Sequence, residues 1–190
     1  MKGVLGAISL LLAAGAAQAQ VDPLSIIGRA VTTAMDLRTK AEVGADVEIA
    51  ADANKRLVKD KRAQWSGVTV MTFAQHVVLA GAVKSAQAKQ IVEEVVQQDK
   101  RIRSFRNELL VGDLGSLVKD TALEAKINAA LTAAKGVASV NMRWTATGGR
   151  VVLMGVAQSQ QEAGVAVAKA RAVDGVKSLK SHLRVVPKKG

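Results

Sequence analysis

The chain has 190 residues, 49% of them apolar, and carries 27 Lys and Arg against 16 Asp and Glu, a formal net charge of +11. It holds no cysteine, so no disulfide can staple it and stability must come from packed cores. Aromatic residues make up only 2%, too few for the stacking platforms of single-strand nucleic-acid binders, so the basic excess points to other polyanions.

Residues 1–19 read as a secretory leader. Lys2 gives a positive start, Val4 to Ala17 form an apolar run too short for the roughly 20 residues that span a bilayer, and Ala17-Gln18-Ala19 is a small-x-small cleavage pattern. Cleavage after Ala19 would leave Gln20 first. With no cysteine to carry a lipid, the expected product is a soluble, unlipidated periplasmic protein, at most peripheral to a membrane. In residues 20–45, Asp22-Pro23 is a helix start and Leu24, Ile27, Val31 and Met35 form a stripe, predicting a helix that docks on the remainder or tethers it.

Residues 46–111 then recur without a gap as residues 120–185, with 14 identities in 66 aligned positions. Val77-Val78-Leu79-Ala80-Gly81 matches Val151-Val152-Leu153-Met154-Gly155, and Asp46, Asn54, Leu57, Ser85 and Gln87 match Asp120, Asn128, Leu131, Ser159 and Gln161. A fixed offset across helical and strand-like stretches means one small fold, duplicated. Each copy predicts helix, two strands, helix, strand.

In the second copy Asp120 caps a helix with Leu123, Ile127 and Leu131 on one stripe. Val140, Met142 and Trp144 alternate with Asn141 and Arg143 as a half-buried strand, and Gly148-Gly149 turns the chain into Val151–Val156. Gln75-His76 stands in for the glycine turn in the first copy. Gly81 and Gly155 close the return strands, where a missing side chain permits a bend or the close approach of another backbone. Ser159-Gln160-Gln161-Glu162 reads as a capping box ahead of an alanine-rich helix. Asp174-Gly175 turns into a last strand with a bulge expected near Ser181, and residues 112–119 link the copies while 187–190 form a basic tail.

The Val-x-Leu-x-Gly stretches at 77–81 and 151–155, the capped alanine-rich helix and Asp174-Gly175-Val176-Lys177-Ser178-Leu179 together resemble the BON domain. The chain is similar to the dual-BON periplasmic proteins of the DolP and OsmY type. The resemblance implies an α+β fold of two tandem BON domains, 46–111 and 120–186, each αββαβ with a three-stranded sheet packed against two helices. It also implies binding to anionic phospholipid and a part in envelope integrity or osmotic-stress tolerance, without catalysis or a cofactor.

Charge locates the expected contact. Residues 46–111 hold 11 basic and 8 acidic side chains, whereas residues 112–190 hold 12 and 5. Lys119, Lys126, Lys135, Arg143 and Arg150 of the second copy are therefore the candidate headgroup contacts, each basic group near an anionic surface contributing on the order of 1 kcal/mol. Trp144 aligns with Val70 and is expected in the core. Trp65 aligns with Ser139 and is the better exposed aromatic. His76 and His182 fall at non-equivalent positions of separate copies, which speaks against a shared metal site. No nucleophile, base and orienter occur at workable spacing. The alternative function is a scaffold that binds an envelope protein or peptidoglycan through sheet faces or strand edges.

Overall fold

The protein is described here as a computed structural model covering residues 36–113, 115 and 117–186. The leader at 1–19, the helix expected within 22–35 and the tail at 187–190 lie outside the described residues. The first domain is built from α1 (Lys40–Lys59), β1 (Val68–Phe73), β2 (His76–Val83), α2 (Ala86–Gln97), β3 (Ser104–Asn107) and β4 (Leu110–Val111). The second is built from α3 (Thr121–Thr132), a 3-10 turn (Ser139–Asn141), β5 (Met142–Thr147), β6 (Arg150–Ala157), α4 (Gln160–Arg171) and β7 (Ser178–Val185). In each domain the first two strands form an antiparallel hairpin, and the last strand pairs in parallel with the central one after a helical crossover.

The two faces of each hairpin have different neighbours. On one face Val70, Val77, Leu79 and Val83 pack under α1 and α2 with Ile49, Ala53, Leu57, Val92 and Val96. Met142, Trp144, Ala146, Val151 and Leu153 do the same under α3 and α4. The opposite faces meet each other: Met71, Phe73, Val78 and Ala80 of the first sheet join Val152, Met154 and Val156 of the second in one apolar cluster. The order through the molecule is thus helices, sheet, sheet, helices. Burial on both faces explains why the central strands read as continuous apolar runs and not as alternating ones. At about 1.5–3 kcal/mol per large apolar side chain removed from water, the shared cluster ties together two units that are each near the lower size limit for a self-sufficient core.

Several local expectations are corrected. β5 is not half-buried, since all six of its residues are inside; it begins at Met142, with Val140 and Asn141 in the preceding 3-10 turn. No bulge interrupts β7, whose register against β6 runs one-for-one from Ser178 to Val185. Ser159 caps α4 through Glu162 N, but the Glu162 carboxylate turns away to accept from Ala138 N and Gln158 N. The reciprocal capping box stands instead at α1, between Thr39 and Glu42. The first hairpin turns at Ala74-Gln75, not Gln75-His76, and His76 already pairs with Phe73.

Gly81 and Gly155 sit where another backbone comes close. A Cβ on Gly81 would collide with the Gly67 carbonyl oxygen and one on Gly155 with that of Asn141, and both residues have positive φ. Gly175 turns the chain into β7 at φ 99°.

Candidate functional site

The five candidate cations do not converge. Lys126 and Lys135 project from the outer, helical side of the second domain; Lys126 is 3.8 Å from the fully exposed Asp174. Lys119 bridges to Thr147 at the hairpin turn and stands 3.5 Å from Glu124, its side chain 48% exposed. Arg150 reaches across the domain boundary to Glu108 at 2.6 Å.

Arg143, expected on a polar strand face, is only 8% exposed. Its Nη1 donates to the Val140 and Met142 carbonyls and its guanidinium lies 5.5 Å from the Phe73 ring centroid, because that strand face is covered by the first domain. Trp144 lies in the second core as expected, its indole N–H donating to the Glu124 carbonyl, and Trp65 is exposed.

Residues outside the candidate list shape the surface more strongly. Among residues 120–186 Asp120 caps α3, Glu124 accepts from Thr145 Oγ1 and Ala146 N inside the hairpin, and Glu162 is buried between loops. Asp174 is left as the one fully exposed carboxylate of that segment. Against it stand six exposed cations: Lys126, Lys135, Lys169, Arg171, Lys177 and Lys180. Residues 46–111 expose eight cations against two carboxylates, Glu48 and Glu94, but ion pairs engage arginines there: Arg62 contacts Asp60, Arg101 contacts Glu48, Asp52 and the buried Asp99, and Arg103 contacts Glu42.

Two interdomain features were hidden from the sequence. Asp36, Leu37 and Arg38 form a clamp: Arg38 pairs with Asp36 and Asp46, stacks 4.4 Å from the Phe73 centroid, and the neighbouring Leu37 N–H donates to Asn141 Oδ1 of the second domain. A groove of about 370 Å³ also opens between β1 and α3, with Met71, Thr72, Lys119, Glu124, Asn128 and Trp144 in its walls. Among the described residues no helix is long and apolar enough to cross a membrane.

Two copies of an αββαβ unit, stacked sheet against sheet, define a duplicated α+β fold. The BON domain family model matches residues 45–113 and again 119–187, and the chain belongs to the BON family, with two domains in tandem. It is 33% identical over 144 residues to an "Uncharacterized protein in gshII 5'region" of Anaplasma centrale, covering 74% of this chain and 94% of that protein. It is likewise 33% identical over 145 residues to "Osmotically-inducible protein Y" of Escherichia coli (strain K12), covering 73% of this chain and 72% of that one. Among solved structures, that of CdsD, a structural protein of the Type III secretion system of Chlamydia trachomatis, aligns at 15% identity and a TM-score of 0.33. It covers 76% of this chain and only 65% of its own, and a likeness that weak carries no argument.

Proposed function

We propose that this protein is a non-enzymatic component of the bacterial envelope, exported to the periplasm, that binds anionic phospholipid surfaces through its second domain and supports the envelope under osmotic stress. The observation that carries the reading is the imbalance on the outside of residues 120–186, six exposed cations to one exposed carboxylate, produced by folding three of the four acids into caps and loops. The kinship with an osmotically inducible protein supports the stress context. The contacting set is Lys126 and Lys135 with Lys169 and Arg171 of α4; Arg143 and Arg150 serve the domain boundary instead. Partner binding through the faces of the central strands loses its surface, because β2, β5 and β6 are buried on both sides, and a scaffold role would fall to the outer strands and their edges.

Co-sedimentation of the protein with phosphatidylglycerol-containing vesicles and with purely zwitterionic vesicles tests the reading. Binding confined to the anionic vesicles and weakening as salt shortens the Debye length below about 8 Å is expected. Equal binding to both, or binding indifferent to salt, contradicts it.

A further inference from the structure

The domain boundary is pseudosymmetric. Glu108 and His182 occupy equivalent positions 74 residues apart and hydrogen-bond to each other, His182 Nε2 to Glu108 Oε1 at 2.9 Å. On one side of that pair Arg150 meets Glu108, and with Ala80, Leu110 and Val152 around them the gap is closed. The same 74-residue shift exchanges Arg150 for His76, Glu108 for His182 and Leu110 for Arg184. These residues do come together on the other side, where a cleft of about 290 Å³ is lined by His76, Ser104, Arg106, Met154, His182 and Arg184. Where one side has a carboxylate facing its arginine, the other has a histidine, a second cation and open space.

The nearby carboxylates do not supply the missing charge. Glu42 is engaged by Arg103 at 3.0 Å, and Asp46 by Arg38 at 2.9 Å and by two turn amides. Among the described residues Arg184 makes no ion pair. Burial first, and then Arg103, hold its guanidinium below the ordinary arginine value, with Glu42 and Asp46 opposing. His76 is likewise pushed down by burial and then by Arg184 and Arg103, again with Asp46 and Glu42 opposing, and its Nδ1 hydrogen-bonds Ser104 Oγ. Half-buried cations without a counter-ion are costly, and an arginine fork is the natural partner of a tetrahedral oxyanion.

We propose that this interdomain cleft binds a phosphoryl group, gripped by Arg184 and Arg106 with Ser104 and His76 as further hydrogen-bond partners. The site lies between the sheets and is independent of the exposed helical cations of the second domain, so it goes beyond the proposed membrane-surface contact. On the closed side Leu110 stands at the position equivalent to Arg184.

Thermal melts and calorimetry of the exported chain, in sodium phosphate against sodium chloride at matched ionic strength, test this. Phosphate should raise the melting temperature through preferential binding to the folded state. Arg184→Gln should weaken phosphate binding at least tenfold while melting at or above the parent in phosphate-free buffer, since an uncompensated cation is removed. Arg184→Lys should keep part of the affinity, and Lys169→Gln with Arg171→Gln should leave it unchanged, which separates this site from the membrane-facing one. Should Arg184→Gln fail to fold, Arg106→Gln and the imidazole NMR signals of His76 in the parent carry the test, the latter expected to move on phosphate addition. Competition by dihexanoylphosphatidylglycerol below its micelle concentration assigns the group to a lipid headgroup, and lack of competition to free phosphate. A phosphate effect no larger than that of chloride, or one that survives Arg184→Gln undiminished, overturns the proposal.

Discussion

Asp46 and Asp120 hold equivalent positions in the two domains, yet one is buried in the middle of a helix while the other caps the start of one. In the second domain the hairpin turn is Gly148-Gly149, whose positive φ values of 57° and 82° cost glycine little. In the first the same turn is made by Ala74 and Gln75 at φ 50° and 63°, a conformation that disfavours side chains by about 1–2 kcal/mol per residue. The compensation is Asp46, 2% exposed, whose two carboxylate oxygens accept from Ala74 N and Gln75 N at 2.7 and 2.6 Å while Arg38 neutralises it. Extension of α1 by nearly two turns before Asp46, starting at the Thr39 cap, puts that carboxylate beside the turn. One backbone is thus reached by two chemistries. The first domain ties its acid to the domain boundary; the second leaves its turn to glycine and its outer surface to lysine.

The sharpest way to break this comparison is Asp46→Ala. It leaves Arg38 buried without its Asp46 partner and two turn amides unmet, and should cost about 3–5 kcal/mol in urea unfolding. Asp120→Ala, which removes one cap bond, should cost about 1 kcal/mol. Equal losses at the two positions would deny Asp46 its special role.

Next in size are the paired glycines. Gly81→Ala and Gly155→Ala each force a Cβ onto a carbonyl oxygen at positive φ and should each lose more than about 2 kcal/mol, whereas Gly164→Ala, with open space around it on α4, should gain up to about 1 kcal/mol. Thermal melts that leave both members of the pair unchanged would mean the tight approach is not there.

Acid should separate the domains more gently. Arg101 holds Asp99 well below the usual carboxylate range; Glu42 is lowered by the Thr39 amide against some burial, and Asp36 by Arg38 in spite of burial. Groups with depressed folded values stabilise above their unfolded pKa near 4 and lose that contribution as pH falls through the folded value. His76 is also depressed, so protonating it below its unfolded value near 6.5 opposes folding, and both effects have the same sign. The melting temperature should therefore fall from about pH 6.5 downward, more steeply below pH 4, and Asp99→Asn should flatten the lower limb. A melting temperature that rises on acidification would contradict these assignments.

The smallest expected change is a gain. Gln75→Gly, which keeps the amide that Asp46 accepts from but deletes the Gln75 Nε2 bond to the Arg101 carbonyl, should stabilise by at most about 0.5 kcal/mol, the relief of strain less the entropy of glycine and that bond. A loss on calorimetry would show that the turn is not strained.

How far the sequence could be read follows from which contacts are internal to a repeat. The duplication, the element order, the caps at Ser85, Asp120 and Ser159, and the inward stripe of Leu123, Ile127 and Leu131 depend on neighbours within one copy, and all are visible in spacing. Arg143 was misplaced because its burial depends on Phe73 of the other domain, and no periodicity within β5 reports a second sheet. The continuous apolar runs Val77–Val83 and Val151–Ala157 were the available signal, since a strand apolar on both sides needs cover on both. His76 and His182 looked unrelated for the same reason and line one cleft. The acid-poor surface was half legible: counting gave the charge, but only the fold shows that Glu124 and Glu162 turn inward.

The second domain, and not the first, is the proposed surface for anionic phospholipid. Two triple variants measured side by side by flotation with phosphatidylglycerol vesicles test it: Lys126→Gln, Lys135→Gln and Lys169→Gln in the second domain, and Lys55→Gln, Lys59→Gln and Lys84→Gln in the first. Both sets remove three positive charges at sites free of the cores. At about 1 kcal/mol per basic group, the first set should weaken binding more than tenfold and the second far less. Equal losses would mean that overall charge alone drives association, and no loss in either would contradict the proposed surface outright.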